Sequence, residues 1–141
     1  MILEDKVAEV LESGGFLSPF VDYKGIEQPA PKLVLINFDE TDPSITGKRV
    51  LFIRKSGGNG GNKFVQREGL SIYFIGLQDK SDSPTVAEQA DSLLTYLLET
   101  RENCGIIDID PISGTSPVMF TDAGRPLVEI QTTVLIDRGI K

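Results

Sequence analysis

The chemistry open to this chain is limited first by the residue types it lacks. It has no histidine and a single cysteine, Cys104. Nucleophilic arrangements of the Ser-His-Asp or Cys-His kind cannot be built from it, and neither can zinc sites of His/Cys type. Cys104, beside Gly105 and close to a helix end, reads as a small buried apolar residue. Carboxylates and glycines remain. Asp108, Asp110 and Asp122 have the donor chemistry for magnesium or calcium, and Asp108 and Asp110, two apart on a strand, share a face. The spacing of an EF-hand is absent, and a pair of exposed carboxylates is usually a solvated face. No metal and no cofactor is therefore assigned, and a carboxylate-bound ion stays open as an alternative. Glu88, Asp91 and Glu99 are accounted for as the polar side of an amphipathic helix, with no acid–base role.

Ser56-Gly57-Gly58-Asn59-Gly60-Gly61-Asn62 invites comparison with a phosphate cradle. A P-loop needs G-x-x-x-x-G-K-[ST], so that backbone N–H groups and the lysine meet phosphates while the hydroxyl holds magnesium. Here Lys63 follows Asn62 and precedes Phe64, so the motif fails twice. Residues 56–62 read instead as a flexible inter-strand loop, disordered in a free subunit and ordered against a neighbour. Asp122-Ala123-Gly124-Arg125-Pro126 reads as a hairpin turn. Aspartate starts it, glycine supplies a permissive φ, and Pro126 opens a strand where no N–H need pair. Arg125 is left with three roles: an exposed pair with Asp122, a buried ion pair, or a contact between subunits.

The elements that position these residues follow from periodicity. Residues 2–12 place Leu3, Val7, Val10 and Leu11 on one helical stripe, ended by Gly14-Gly15, with Phe16-Leu17 folding back. Residues 16–31 read as irregular, punctuated by Pro19, Gly25, Pro29 and Pro31. Strands are expected at 32–38, 49–54, 69–77, 105–109 and 127–136. A helix over 84–100 has Ser83 as its N-cap and Pro84 at its first position; its apolar face carries Val86, Ala90, Leu93, Leu94, Leu97 and Leu98. The order α-β-β-β-α-β-β implies an α+β fold, a mainly antiparallel sheet with two helices packed on one side.

The chain has 141 residues, a length typical of one domain, taken as 1–141. At 40% hydrophobic and 25% charged residues it has a globular profile. With 14 basic and 21 acidic residues the formal charge is −7, which argues against a nucleic-acid-binding face. No apolar run approaches the roughly 20 residues that span a bilayer. The N-terminus lacks a signal-peptide pattern, so the expected site of synthesis and first use is the cytoplasm.

Three stretches together resemble the tail terminator (minor tail or minor capsid) proteins of long-tailed bacteriophages with non-contractile tails. They are Val50-Leu51-Phe52-Ile53-Arg54 with the glycine-rich segment and Leu70-Ser71-Ile72-Tyr73-Phe74; the helix with Ala87, Ala90, Leu93, Leu94 and Leu97; and Ser116-Pro117 with Thr121-Asp122-Ala123-Gly124-Arg125-Pro126 running into the last strand. With the first helix they cover about residues 1–137, while 16–31 matches nothing in the family. The resemblance implies a homo-oligomeric ring, a hexamer, at the head-proximal end of the virion tail. Such a ring caps the tail tube protein, ends polymerisation once the tape measure protein is covered, and offers a surface to a head-completion or neck protein. DNA only passes through its lumen. The implied subunit contacts are Gly57, Gly58, Asn59, Gly60, Gly61, Asn62, Asp122 and Arg125. The alternatives are a small non-catalytic α+β binding or regulatory domain of bacterial or prophage origin, and a small carboxylate–metal enzyme.

Overall fold

Apolar stripes on two helices and alternating apolar residues on the strands bring both helices onto one face of a mixed sheet. The computed structural model describes residues 2–61, 65–99, 106–112 and 114–137. Among them, helix α1 (Leu3–Ser13) is followed by the short strands β1 (Phe20–Val21) and β2 (Glu27–Gln28), then by β3 (Lys32–Leu35), β4 (Val50–Gly61) and β5 (Val65–Ile75). Helix α2 (Ser83–Glu99) precedes β6 (Ile106–Pro111), β7 (Met119–Phe120) and β8 (Pro126–Asp137). The main sheet has the order β3-β4-β5-β8-β6, with β7 also on β8. Every pairing in it is antiparallel except β3 with β4, which is parallel.

One face carries Leu51, Ile53, Leu70, Ile72, Phe74, Val128, Ile130 and Val134, and both helices lie on it. Leu3, Val7, Val10 and Leu11 of α1 are buried there, as are Val86, Ala90, Leu93 and Leu97 of α2. Leu94 is partly buried, while Leu98, expected on the same stripe, is 59% exposed. Thr132 falls in the middle of this apolar row. It is accommodated because its hydroxyl donates to the Leu70 carbonyl at 2.9 Å, so the buried hydroxyl is paired. The opposite face is smaller: Val50, Phe52, Ile75 and Ile45 form its core, with Phe38, Tyr73 and Leu127 beside them.

The end of α1 shows why two glycines stand there. Gly15 takes φ 85°, its N–H donates to Glu12 O and the Phe16 N–H donates to Leu11 O, which is a Schellman arrangement. Gly14 serves a different need: a Cβ there would lie 2.7 Å from the Tyr96 ring. That ring stacks at a tilt on Phe16, centroids 5.4 Å apart, and its hydroxyl donates to Val10 O at 3.4 Å, joining the two helices.

Four local expectations are corrected. Residues 56–61 are not a loop: β4 runs through them to Gly61, paired with β5 across two register shifts, Lys55/Gly57 and Gly58/Gly60. Pairing along β5 holds the glycines in strand, and the extra residues are taken up as bulges. Gly57, at φ 151°, stands in the first of them. Opposite it a Cβ on Gly69 would come within 2.8 Å of Gly57 O. Asn62, like Lys63 and Cys104, lies outside the described residues. Second, β3 stops at Leu35 because Ile36 turns to φ 73°, a costly backbone for a β-branched residue. Third, Ser83 is no N-cap. Its φ and ψ are already helical, and the cap sits earlier, at Asp79, whose side chain accepts from Ser81 N and starts a 3₁₀ turn over Lys80–Asp82. Fourth, residues 16–31 contain the β1–β2 hairpin, its turn built on Asp22 Oδ1, which accepts from the N–H groups of Lys24 and Ile26 at 2.9 Å each.

Leu97 is 3% exposed at the junction of α2 with the sheet. Leu97→Ala is expected to lower stability by about 2–5 kcal/mol in denaturant unfolding. A loss below about 1 kcal/mol would show that this helix face does not carry the core.

Candidate assembly surface

Strand register places the two segments singled out by sequence at opposite ends of the sheet. At one end Ile75 of β5 pairs with Val50 and Leu127, and the turn Asp122–Arg125 leads into it. At the other end Gln66 pairs with Gly61 and Ile136. Gly57, Gly58, Asn59, Gly60 and Gly61 therefore do not meet Asp122 and Arg125 within one chain. Nor are the three aspartates gathered at one point, since Asp110 pairs with Thr133 and Asp108 with Leu135, at the glycine end.

Arg125 belongs to the interior. It is 4% exposed, and its guanidinium donates to three backbone carbonyls: Gly76 O at 2.7 Å, Ile45 O at 3.4 Å, and Lys48 O. Its Cζ lies 6.0 Å from the Phe38 ring centroid. The exposed pair with Asp122 is not formed; Asp122 is solvent-facing, and the turn closes through Thr121, whose N–H donates to Arg125 O and whose hydroxyl accepts from Arg125 N. Burial pushes the guanidinium below its ordinary range, while the carboxylates of Glu40 and Asp82 act in the opposite sense. Glu40 also accepts from Ala123 N at 3.3 Å, tying the 39–48 segment to the turn.

A second buried arginine was not foreseen. Arg49, 8% exposed, forms a two-pronged pair with Asp82: Nε to Oδ2 at 3.0 Å and Nη2 to Oδ1 at 2.6 Å. Its third nitrogen donates to Gln28 Oε1 at 2.8 Å, and Gln28 in turn donates to Asp22 Oδ2 at 2.9 Å. The Asp82 carboxylate also accepts from Leu77 N at 2.8 Å. Planar fork geometry of this kind is specific to arginine. The one sequence signal was an aspartate immediately before Ser83-Pro84, easily taken for a capping residue.

The two arginines meet at Gly76-Leu77, where β5 leaves the sheet. Arg125 holds the Gly76 carbonyl, and Asp82, fixed by Arg49, holds the Leu77 N–H. Gly76 N donates to Pro126 O at 2.7 Å. There is no room for a side chain at position 76: a Cβ would stand 2.6 Å from Asp82 Oδ2, 2.7 Å from Val86 Cγ2 and 2.9 Å from Pro126 Cγ.

Beside this frame, on the face away from the helices, a cavity of about 310 Å³ is lined by Ile36, Phe38, Phe52, Tyr73, Thr121 and Leu127 among others. Arg54 closes one side, its guanidinium 5.3 Å above the Tyr73 ring and donating to the Tyr73 hydroxyl at 2.8 Å. Among the described residues there is no cluster of three or more metal-ligating side chains and no helix long and apolar enough to cross a membrane.

The family model for phage tail termination protein matches residues 36–138, a span that takes in β4 to β8 and α2. The chain belongs to the phage tail termination protein family, and it is a structural protein of the phage tail. No curated protein matches it.

Two outcomes follow from the buried frame. Arg125→Ala leaves several carbonyls without a donor in a buried site, so the isolated subunit should lose on the order of 3 kcal/mol and melt lower. Arg125→Lys should recover only part of that, because an ammonium cannot reach all three carbonyls at once. An unchanged melting temperature in both would place the residue outside the fold's support. Gly76→Ala should destabilise by roughly 1–3 kcal/mol through overpacking, measured by the same unfolding transition. A neutral result would mean that Asp82 and Val86 yield without cost.

Proposed function

We propose that the protein forms a ring, a hexamer, which caps the head-proximal end of the tail tube, stops tube polymerisation and presents the surface that joins the head. In this reading residues 1–141 act as one unit and the work is selective binding, with no bond made or broken. The partners are further copies of the chain, the tail tube protein, a head-completion or neck protein, and the tape measure protein whose covered length sets the moment of capping. Assembly takes place in the host cytoplasm, and the finished ring belongs to the virion. The observation that carries the reading is the family match, which runs through nearly all of the sheet as well as α2.

Physical features support it. A closed ring repeats one head-to-tail contact around an axis, which requires two different, complementary surfaces on each subunit. Strand edges with unpaired N–H and C=O groups are ready partners for such a contact. The net charge of −7 suits a lumen through which DNA passes without adhering. Within this reading the glycine-bearing end of β4 is one subunit contact. The Asp122 turn is a second, with Arg125 positioning it from inside the fold rather than touching the neighbour.

The test is the mass of the purified protein by light scattering, alone and with isolated tail tubes, together with negative-stain images. Particles several-fold heavier than 15.4 kDa, or rings found only at tube ends, are the expected result. A monomer that neither self-associates nor binds tubes would favour a small non-catalytic binding or regulatory domain instead.

A further inference from the structure

Among the described residues the sheet has two open edges, and register places them at the same height. On the β4 side, β3 covers only the first part of the strand: their pairing ends at Leu35 with Ile53, and Ile36 N donates to Ile53 O at 2.9 Å. From Arg54 to Gly61, among the described residues, β4 pairs on its β5 side alone. On the other side of the sheet, β6 pairs with β8 and has no strand beyond it among the described residues. Row by row, Pro111 aligns through Thr132 and Leu70 with Lys55, and Asp110 through Thr133 and Gly69 with Gly57. Ile106 aligns through Ile136 and Gln66 with Gly61. The open stretch of β4 and the whole of β6 thus flank the same half of the sheet.

Direction agrees. Three successive antiparallel pairings separate β4 from β6, so the two run in opposite senses. Rotation about an axis near the strand direction preserves those senses. The β6 of one copy would therefore meet the β4 of the next as an antiparallel neighbour, the pairing that needs no reversal of either chain.

Charge selects this pairing over others. Arg54 and Lys55 are exposed at the start of the open β4 stretch, while β6 bears Asp108 and the exposed Asp110. Charged residues on an edge deter pairing with an identical edge. Two β4 edges, antiparallel over Arg54–Gly61, would set Arg54 and Lys55 beside glycines with no opposite charge to meet, and two β6 edges would crowd their aspartates together. Only β4 against β6 sets opposite charges side by side, so the edge charges favour a head-to-tail contact over either two-fold dimer. We propose that the subunits join by β-augmentation, Arg54–Gly61 of one copy pairing with Ile106–Pro111 of the next, so that the sheets run on around the ring.

The proposal rests on the ring reading, and the experiment separates the two. Cys104 is replaced by serine, and Asp110→Cys is combined in turn with Arg54→Cys, Lys55→Cys and Ser56→Cys. A disulfide requires Cα atoms roughly 4.4–6.8 Å apart, so at least one pair should give a ladder of covalent oligomers on oxidation, while each single-cysteine protein gives none beyond a dimer. In parallel, Lys55→Asp and Asp110→Lys should each lower the fraction of protein in rings on the order of tenfold, and the double exchange should restore it. Subunit melting followed by circular dichroism guards against misfolding, and the cysteine pairs decide the matter if a charge variant unfolds. Wild-type rings with no ladder from any pair and no response to charge reversal would overturn the edge pairing and leave the ring intact. Wild-type protein that stays monomeric with and without tubes would overturn the ring itself, and the edge pairing with it.

Discussion

Everything at one end of this molecule depends on two guanidinium groups taken out of water around Gly76-Leu77. An isolated buried charge is costly, and it persists only where hydrogen bonds and opposite charge replace hydration. Arg49 meets that condition through Asp82 and Gln28. Arg125 meets it with backbone carbonyls from Ile45, Lys48 and Gly76, assisted by the carboxylates of Glu40 and Asp82. These bonds reach residues far apart in sequence, so the β1–β2 hairpin, the 39–48 segment, the start of α2 and the β7–β8 turn are all referred to one point. Removing one partner from such a network costs more than the bond itself, because it strands the other partner in the interior.

The parts that were legible in the sequence are those governed by local periodicity. The stripe Leu3-Val7-Val10-Leu11 and the row Val86-Ala90-Leu93-Leu97 face the core as their spacing demands, and the alternation about Val128 and Ile130 gives the inner face of β8. What escaped depends on distant partners or on chemistry that composition hides. Glycine is a poor strand former alone, and residues 57–61 become strand because β5 lies alongside. The β1–β2 hairpin hangs on Asp22, whose turn signal was drowned by the surrounding prolines. Arg49 stands at the start of the strand expected over 49–54, and nothing nearby in the sequence announces Asp82, 33 residues away. Among the site residues, the Asp122 turn was legible as chemistry, whereas the burial of Arg125 was not, because carbonyl acceptors leave no mark in a sequence.

The two ends of the sheet are therefore built on different principles. The Gly76 end is closed by buried polar bonds and by β3 and β7, short strands that cover the edges of β4 and β8. At the far end, among the described residues, β4 runs on past β3, and β6 takes the place of β7 beside β8 as the outer strand. In the proposed ring, where the protein would recognise its own copies, a tube and a further component, such a division has a purpose. There the closed end would set the geometry of the subunit, and the edge at the far end would be completed by a neighbour.

Glycine at the open end has a consequence for how completion is driven. Gly57, Gly58, Gly60 and Gly61 offer no side chains to a core, and each surrenders more backbone freedom on ordering than any other residue type. Among the described residues, their strand conformation is supported by β5 on one side only. A second strand would add hydrogen bonds on the other side and share the cost of ordering already met by β5. Binding and ordering are then one process, and the contact is favoured only when the geometry of both edges is right. Larger side chains at these positions would stiffen the edge, and they would also carry the apolar, flat character that makes exposed strands associate indiscriminately. Glycine avoids that outcome, and in the proposed pairing it would leave partner choice to the few charges at the edge, Arg54 and Lys55 on one strand and Asp110 on the other.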